Sequence, residues 1–205
     1  MYSFKNDYSE GVHPRILMAL SETNFDQCDG YGEDKYTKDS IELLKKRIKR
    51  DDIDIHLLVG GTQTNLIAIS AFLRPHEAVI SANTGHILVH ETGAIEATGH
   101  KVISVDVNDG KLNVSHIKSV VDIHNDEHMV KPRLVYISNS TEIGSIYKKR
   151  EIEEISSYCK ENNFEINNLR LQKLLYFVQG FYLVNNDKLL FEDSIEKWRY
   201  GPVIP

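Results

Sequence analysis

The chain has 205 residues, 41% of them hydrophobic and 26% charged, which is the range of a soluble globular protein of one or two domains with a core of real size. Its formal net charge of -6 argues against an electrostatic grip on nucleic acid, which needs a basic face, and favours small-molecule or protein partners. Two cysteines, Cys28 and Cys159, have no Cys or His at ligand spacing, which indicates neither a disulfide framework nor a zinc site. The opening Met-Tyr-Ser-Phe-Lys-Asn-Asp has no apolar signal region, and no apolar run approaches the roughly 18 residues of a membrane span, so a soluble cytoplasmic protein is expected.

In chain order, the first expected elements are helices over Pro14 to Leu20, with proline at a plausible first position, and over Lys38 to Lys49. The run Lys45, Lys46, Arg47, Lys49, Arg50 could suggest a nucleic-acid patch, but Ile41, Leu44 and Ile48 make the stretch an ordinary amphipathic helix. From Ile53 to about Phe164, β-rich runs alternate with helical ones. Ile53 to Val59, Ala78 to Ser81, Val102 to Val107 and Leu134 to Ser138 read as strands. Thr62 to Leu73, Val114 to His124 and Lys149 to Asn162 carry apolar residues at steps of three and four. Repeated strand then helix predicts an α/β fold, a mostly parallel sheet covered by helices. After Phe164 the phase breaks: Leu171, Leu174, Leu175, Val178, Phe181 and Tyr182 form another helical stripe, capped by Asn167 or Asn168, where a strand would be due.

Two stretches carry chemistry. Val59-Gly60-Gly61-Thr62-Gln63-Thr64-Asn65 lies between an apolar run and a helix. Glycines let an anion approach the backbone, a hydroxyl adds a donor, and the helix N-terminus offers unpaired N–H groups. No Walker lysine or Gly-x-Gly-x-x-Gly is present, and a plain strand-to-helix turn reads equally from these residues. In Gly85-His86-Ile87-Leu88-Val89-His90-Glu91, His86 and His90 share a face if the stretch is helical. They read as structural histidines, as an imidazole stacked on an aromatic cofactor, or as metal ligands, for which a third ligand is missing nearby.

The motifs occur in the order and spacing of one family. Phe4-Lys5-Asn6-Asp7-Tyr8-Ser9-Glu10-Gly11 with His13-Pro14, Gly30-Tyr31-Gly32-Glu33-Asp34, the Gly-Gly-Thr-Gln-Thr-Asn turn, His86 to Glu91 and Ile137-Ser138-Asn139-Ser140-Thr141-Glu142-Ile143-Gly144 resemble the low-specificity threonine aldolases among the aromatic amino acid β-eliminating lyases. The resemblance spans residues 1–164. It implies the large domain of a type I pyridoxal-phosphate-dependent transferase, truncated, in a homo-oligomer with sites between subunits. It also implies cleavage of a β-hydroxy amino acid to glycine and an aldehyde. By the same resemblance Gly61 and Thr62 hold the cofactor phosphate and His86 stacks on the ring. Asn6, Asp7 and Ser9 reach substrate, Tyr31 approaches the neighbouring subunit's site, and Glu91 is a structural partner of the surrounding loops. Where many relatives have a second histidine, Ser140-Thr141-Glu142 stands, which leaves the substrate-polarising role open.

The family's Schiff-base lysine and its Asp-Gly-Ala-Arg segment have no counterpart, and Glu165-Ile166-Asn167-Asn168-Leu169-Arg170 stands where the latter is due. No catalytic residue is therefore assigned, and the chain alone is expected to be inactive. Residues 165–205, through Leu171-Gln172-Lys173-Leu174-Leu175-Tyr176 and Trp198-Arg199-Tyr200-Gly201-Pro202-Val203, resemble the start of the Panacea antitoxin-like domain of phage-associated proteins. That resemblance implies a mainly helical tail that binds a protein partner, and with it the alternative of a non-catalytic binding module or fusion remnant. A sheet that ends early is also expected to associate through its exposed edge.

Overall fold

The computed structural model describes residues 11–164 and the backbone of 196–198 and 201–203. The chain divides into two units, Met1–Leu57 and Leu58–Pro205.

In the first unit, helix α1 spans Pro14–Thr23 and α2 spans Lys35–Ile48. Proline opens α1, where its missing N–H costs nothing. Asp34 caps α2 by accepting from Thr37 N at 2.8 Å and Thr37 Oγ1 at 2.6 Å, and these bonds hold its carboxyl below the ordinary range. The helix closes on Lys49 in the left-handed region, φ 57°. The stretch Ile53 to Val59, expected as a strand, is irregular. A strand needs a neighbour for its N–H and C=O groups, and none of the described strands pairs with it.

The second unit runs α3 (Gly61–Phe72), β1 (Glu77–Ala82), α4 (His86–Val89), a 3₁₀ turn at Glu96–Thr98, β2 (Lys101–Val105), α5 (Val114–Ile123), β3 (Lys131–Tyr136) and α6 (Lys149–Glu161). Every helix and the other three strands expected between Pro14 and Asn162 are present, with shifted ends. The strands form a parallel sheet in the order β2-β1-β3. Because β1 lies in the middle, the chain leaves it to one side for β2 and returns across it for β3. The β1–β3 register shifts after Ala78, which pairs with Pro132, while Val79 pairs with Leu134. Pro132 has no N–H to give the ladder, so Arg133 is skipped. Its guanidinium instead donates to the carbonyls of Asn162 and Asn163 at 3.2 and 3.1 Å, closing the end of α6.

The central strand is buried on both faces, which is why Ala78-Val79-Ile80 reads as an apolar run rather than an alternation. Ala78, Ile80 and Ala82 pack under Ile117 and Val120 of α5 and Ile155 and Cys159 of α6. Val79 faces the other way, against Ile69, Leu73, Ile87 and Ile95. Each fully buried Ile or Val contributes on the order of 1.5–3 kcal/mol. Tyr147 fixes the loop after β2 by accepting from Leu112 N at 2.6 Å, and Lys111 donates to Glu151 of α6 at 2.7 Å.

Of the tail, the described backbone forms an antiparallel pair, β4 (Glu196–Trp198) and β5 (Gly201–Val203). The helix expected over Leu171 to Tyr182 lies outside the described residues. Among those residues no helix is long and apolar enough to cross a membrane.

Candidate functional site

In an open parallel sheet, ligands bind beyond the carboxyl ends of the strands, where the chain departs to opposite sides of a central strand. Here that place lies past Ala82 of β1 and Tyr136 of β3. The segments leaving it are Asn83 to His86 and Ile137 to Glu142.

The turn after β1 depends on Gly85. A Cβ at this position would lie 2.1 Å from Ser81 Oγ and 3.0 Å from the Ala82 carbonyl, so only glycine lets the chain fold back this closely. His86 follows as the first residue of α4. Its Nδ1 lies 2.7 Å from Oε1 of Glu91, a residue only 4% exposed. A carboxylate at Nδ1 selects the tautomer protonated there and leaves Nε2 as the acceptor nitrogen. The imidazole side chain remains 35% exposed. Glu91 Oε1 also accepts from Asn65 Nδ2, a buried amide on α3. Asn65 lies one turn beyond Thr62, so a single buried carboxylate ties the start of α3 to the imidazole.

The start of α3 is open. Gly60, its N-cap, makes no side-chain capping bond, and Gly60, Gly61 and Thr62 are exposed. The first N–H groups of a helix have no intrahelical acceptor, and the first such bond of α3 is Thr64 N to Gly60 O at 3.0 Å. The result is a cluster of uncapped donors at the positive end of a helix dipole.

From β3, Glu142 Oε1 accepts from His86 N at 2.9 Å and from Ser138 Oγ at 2.6 Å. Thr141, in the Ser140-Thr141-Glu142 segment, is 5% exposed. Its hydroxyl lies 2.8 Å from Ser145 Oγ and accepts from Ser145 N at 3.1 Å. It therefore serves the turn, and Glu142 is the side chain of that segment that reaches His86.

Gly61, Thr62 and His86 are thus drawn into one neighbourhood. Tyr31 belongs to the first unit, fully exposed at φ 61°. Asn6, Asp7 and Ser9 lie outside the described residues. His90 sits beside His86 with ring centroids 5.4 Å apart, and among the described residues no group of three or more His, Cys, Asp or Glu side chains is arranged to hold a metal. Asn65, Ser138 and Glu142 stand inside the family motifs, but their residue types alone do not point to the contacts they make. The signal for Asn65 was its place three residues after Thr62 on one helix face. Nothing local marks Glu142, since its partner lies 56 residues away.

Pyridoxal phosphate is the cofactor of threonine aldolases and β-eliminating lyases. The donor set suits it: uncapped N–H groups and a hydroxyl for a phosphate, and a half-exposed imidazole of fixed tautomer for an aromatic ring. The buried hydroxyl Oγ1 of Thr84, in the turn between β1 and His86, has no hydrogen-bond partner among the described residues.

Comparison with known proteins agrees with this architecture. The low specificity L-threonine aldolase of Pseudomonas sp. (strain NCIMB 10558) is 31% identical over 160 residues, covering 77% of this chain and 46% of the relative. The structure of Leishmania major threonine aldolase superposes with a TM-score of 0.75 at 52% identity, over 80% of this chain and 48% of that one. The chain therefore spans about half the length of the aldolases it matches. Residues 171–205 match the family "Antitoxin SocA-like, Panacea domain". The antitoxin SocA of Caulobacter vibrioides is 50% identical over 40 residues, 20% of this chain and 21% of the antitoxin. The family "Beta-eliminating lyase" matches residues 13–167, and with the parallel sheet, the uncapped α3 and the anchored His86, this makes the chain a member of the β-eliminating lyase family.

Proposed function

We propose that residues 58–164 form the cofactor-anchoring part of a pyridoxal-phosphate lyase site acting on β-hydroxy amino acids of the threonine type. Gly61 and Thr62 take the phosphate, and His86 stacks on the ring. The observation that carries the reading is the Asn65–Glu91–His86 connection, which joins the two anchoring regions through one buried carboxylate. When bound, the cofactor supplies the electron sink that makes bonds at an amino-acid Cα labile. The chain's own contribution is to bind the phosphate through backbone N–H groups, to fix the imidazole plane, and to keep the Nδ1 proton on the Glu91 side. Asn6, Asp7, Ser9 and Tyr31 complete the substrate side, by family resemblance.

Turnover also needs a lysine for covalent attachment and a carboxylate for the ring nitrogen. Neither role is assigned to residues 58–164. Lys101 and Lys131 open their strands at the end opposite the site, Lys111 is paired with Glu151, Lys148 is the N-cap of α6, and Lys118, Lys149 and Lys160 lie on α5 and α6. These groups come from outside that segment, and because the family's Schiff-base lysine and Asp-Gly-Ala-Arg segment have no counterpart in the sequence, the chain alone is expected not to cleave threonine. A homo-oligomer formed along the sheet edge and a protein partner for residues 171–205 belong to the same reading. It is supported by β2 and β3, which each have one strand neighbour among the described residues, and by the antitoxin match. Light scattering tests the first, since a monodisperse monomer would contradict it.

The central test is calorimetry with pyridoxal 5′-phosphate on the wild type, Thr62→Ala and His86→Ala. Non-covalent binding in the micromolar to millimolar range is expected, about -8 to -4 kcal/mol. Loss of stacking worth roughly 0.5–1.5 kcal/mol weakens His86→Ala about 2- to 13-fold. Threonine cleavage above the free-cofactor background, or a single pyridoxyl-lysine after borohydride reduction, would overturn the assignment of inactivity.

A further inference from the structure

Resting on that reading, we propose that Glu142 is a positioning residue for the cofactor ring, acting through the main chain of His86. Two groups hold His86, and they hold different parts of it. Glu91 sets the imidazole's tautomer and rotation through Nδ1. Glu142 instead receives the His86 backbone N–H at 2.9 Å.

That N–H is the first of α4, a helix of only four residues whose N-cap Gly85 makes no side-chain bond. Such a short turn cannot hold itself by cooperative hydrogen bonding. Its first donor is satisfied by a carboxylate brought from the loop after β3. Two features hold that carboxylate in place. Ser138 Oγ donates to the same oxygen at 2.6 Å. The turn behind it is closed by Thr141 N to Ser145 O at 2.9 Å and by Gly110, where a Cβ would meet Thr141 and Ile143 at 3.1–3.2 Å. Glu142 thereby locks the loops after β1 and β3 together across the opening of the sheet. Its effect on a bound ring passes through the position of the His86 Cα, whereas the phosphate donors at Gly61 and Thr62 stand on a separate element.

This separation supplies the test. Binding of pyridoxal 5′-phosphate and of inorganic phosphate is measured by calorimetry for the wild type, Glu142→Ala, Glu142→Gln, Ser138→Ala, His86→Ala and the double variant Glu142→Ala/His86→Ala, with circular dichroism to confirm folding. Glu142→Ala is expected to bind pyridoxal phosphate about 2- to 13-fold more weakly, the same range as His86→Ala, with unchanged phosphate affinity. Glu142→Gln keeps an acceptor for the N–H and restores binding to within about 2-fold. In the His86→Ala background the second substitution adds nothing, because a residue acting through another has no effect once that other is gone. If Glu142→Ala does not fold, Ser138→Ala decides in its place, with a weakening in the same direction.

Equal losses for phosphate and pyridoxal phosphate, or an additive effect in the double variant, would show a merely structural role and overturn the inference. So would unaltered Glu142→Ala or Ser138→Ala binding beside a weakened His86→Ala. His86→Ala binding like wild type would overturn the reading beneath as well.

Discussion

Replacing Glu91 by glutamine removes the carboxylate that joins α3 to His86 while keeping its size. The carboxylate oxygen Oε1 now takes Nδ1–H of His86 at 2.7 Å and an amide N–H of Asn65. A glutamine can offer its carbonyl to these donors, but its own NH2 brings two further protons into a site where the residue is 4% exposed. With the carbonyl in the place of Oε1, the NH2 takes the buried position of the other carboxylate oxygen, and a buried donor left without an acceptor costs about 1–3 kcal/mol. For a protein of this size each kcal/mol lowers Tm by about 2–4 °C, so Glu91→Gln should melt roughly 2–12 °C below the wild type. Differential scanning calorimetry at neutral pH measures it, with Asn65→Ala and the double variant completing a cycle. Because the two side chains share one bond, their losses should not add. An unchanged Tm for Glu91→Gln, or strictly additive losses, would refute the claim that this carboxylate connects helix and imidazole.

Gly85→Ala puts a Cβ 2.1 Å from Ser81 Oγ, and overpacking of this kind costs about 1–3 kcal/mol, read as a lowered urea midpoint; adding Ser81→Ala should recover part of it. Cys28 is exposed and Cys159 buried, so a thiol reagent should modify Cys28 at once and Cys159 only on unfolding. Burial raises the Cys159 thiol from 9.0 to about 11. Its stabilising contribution is therefore complete below pH 9 and lost as pH rises through about 11, and Cys159→Ser should flatten that part of the stability profile.

Much of the second unit was legible because its signals are local. Ile117, Val120, Ile155 and Cys159 announce their helices by spacing alone, and Ala78-Val79-Ile80 announces a strand covered on both faces. Gly61, Thr62 and His86 were singled out through the family resemblance, since a Gly-Gly-Thr turn or a lone histidine reads equally as a plain structural feature. Ile53 to Val59 misled: its apolar composition suits a strand, but strand formation depends on a neighbour that composition does not encode. Long-range pairing decided the rest. The order β2-β1-β3 turns the ends of β1 and β3 into one opening, and only there does Glu142 meet the His86 main chain across 56 residues. Asn65 and His86 likewise converge on Glu91 because α3 and α4 pack against the same face of β1, a placement set by side-chain burial rather than by any motif. The candidate anchors were written in the sequence, whereas the carboxylates that hold His86 depended on the fold, because a hydrogen bond is directional and its partners came from different elements.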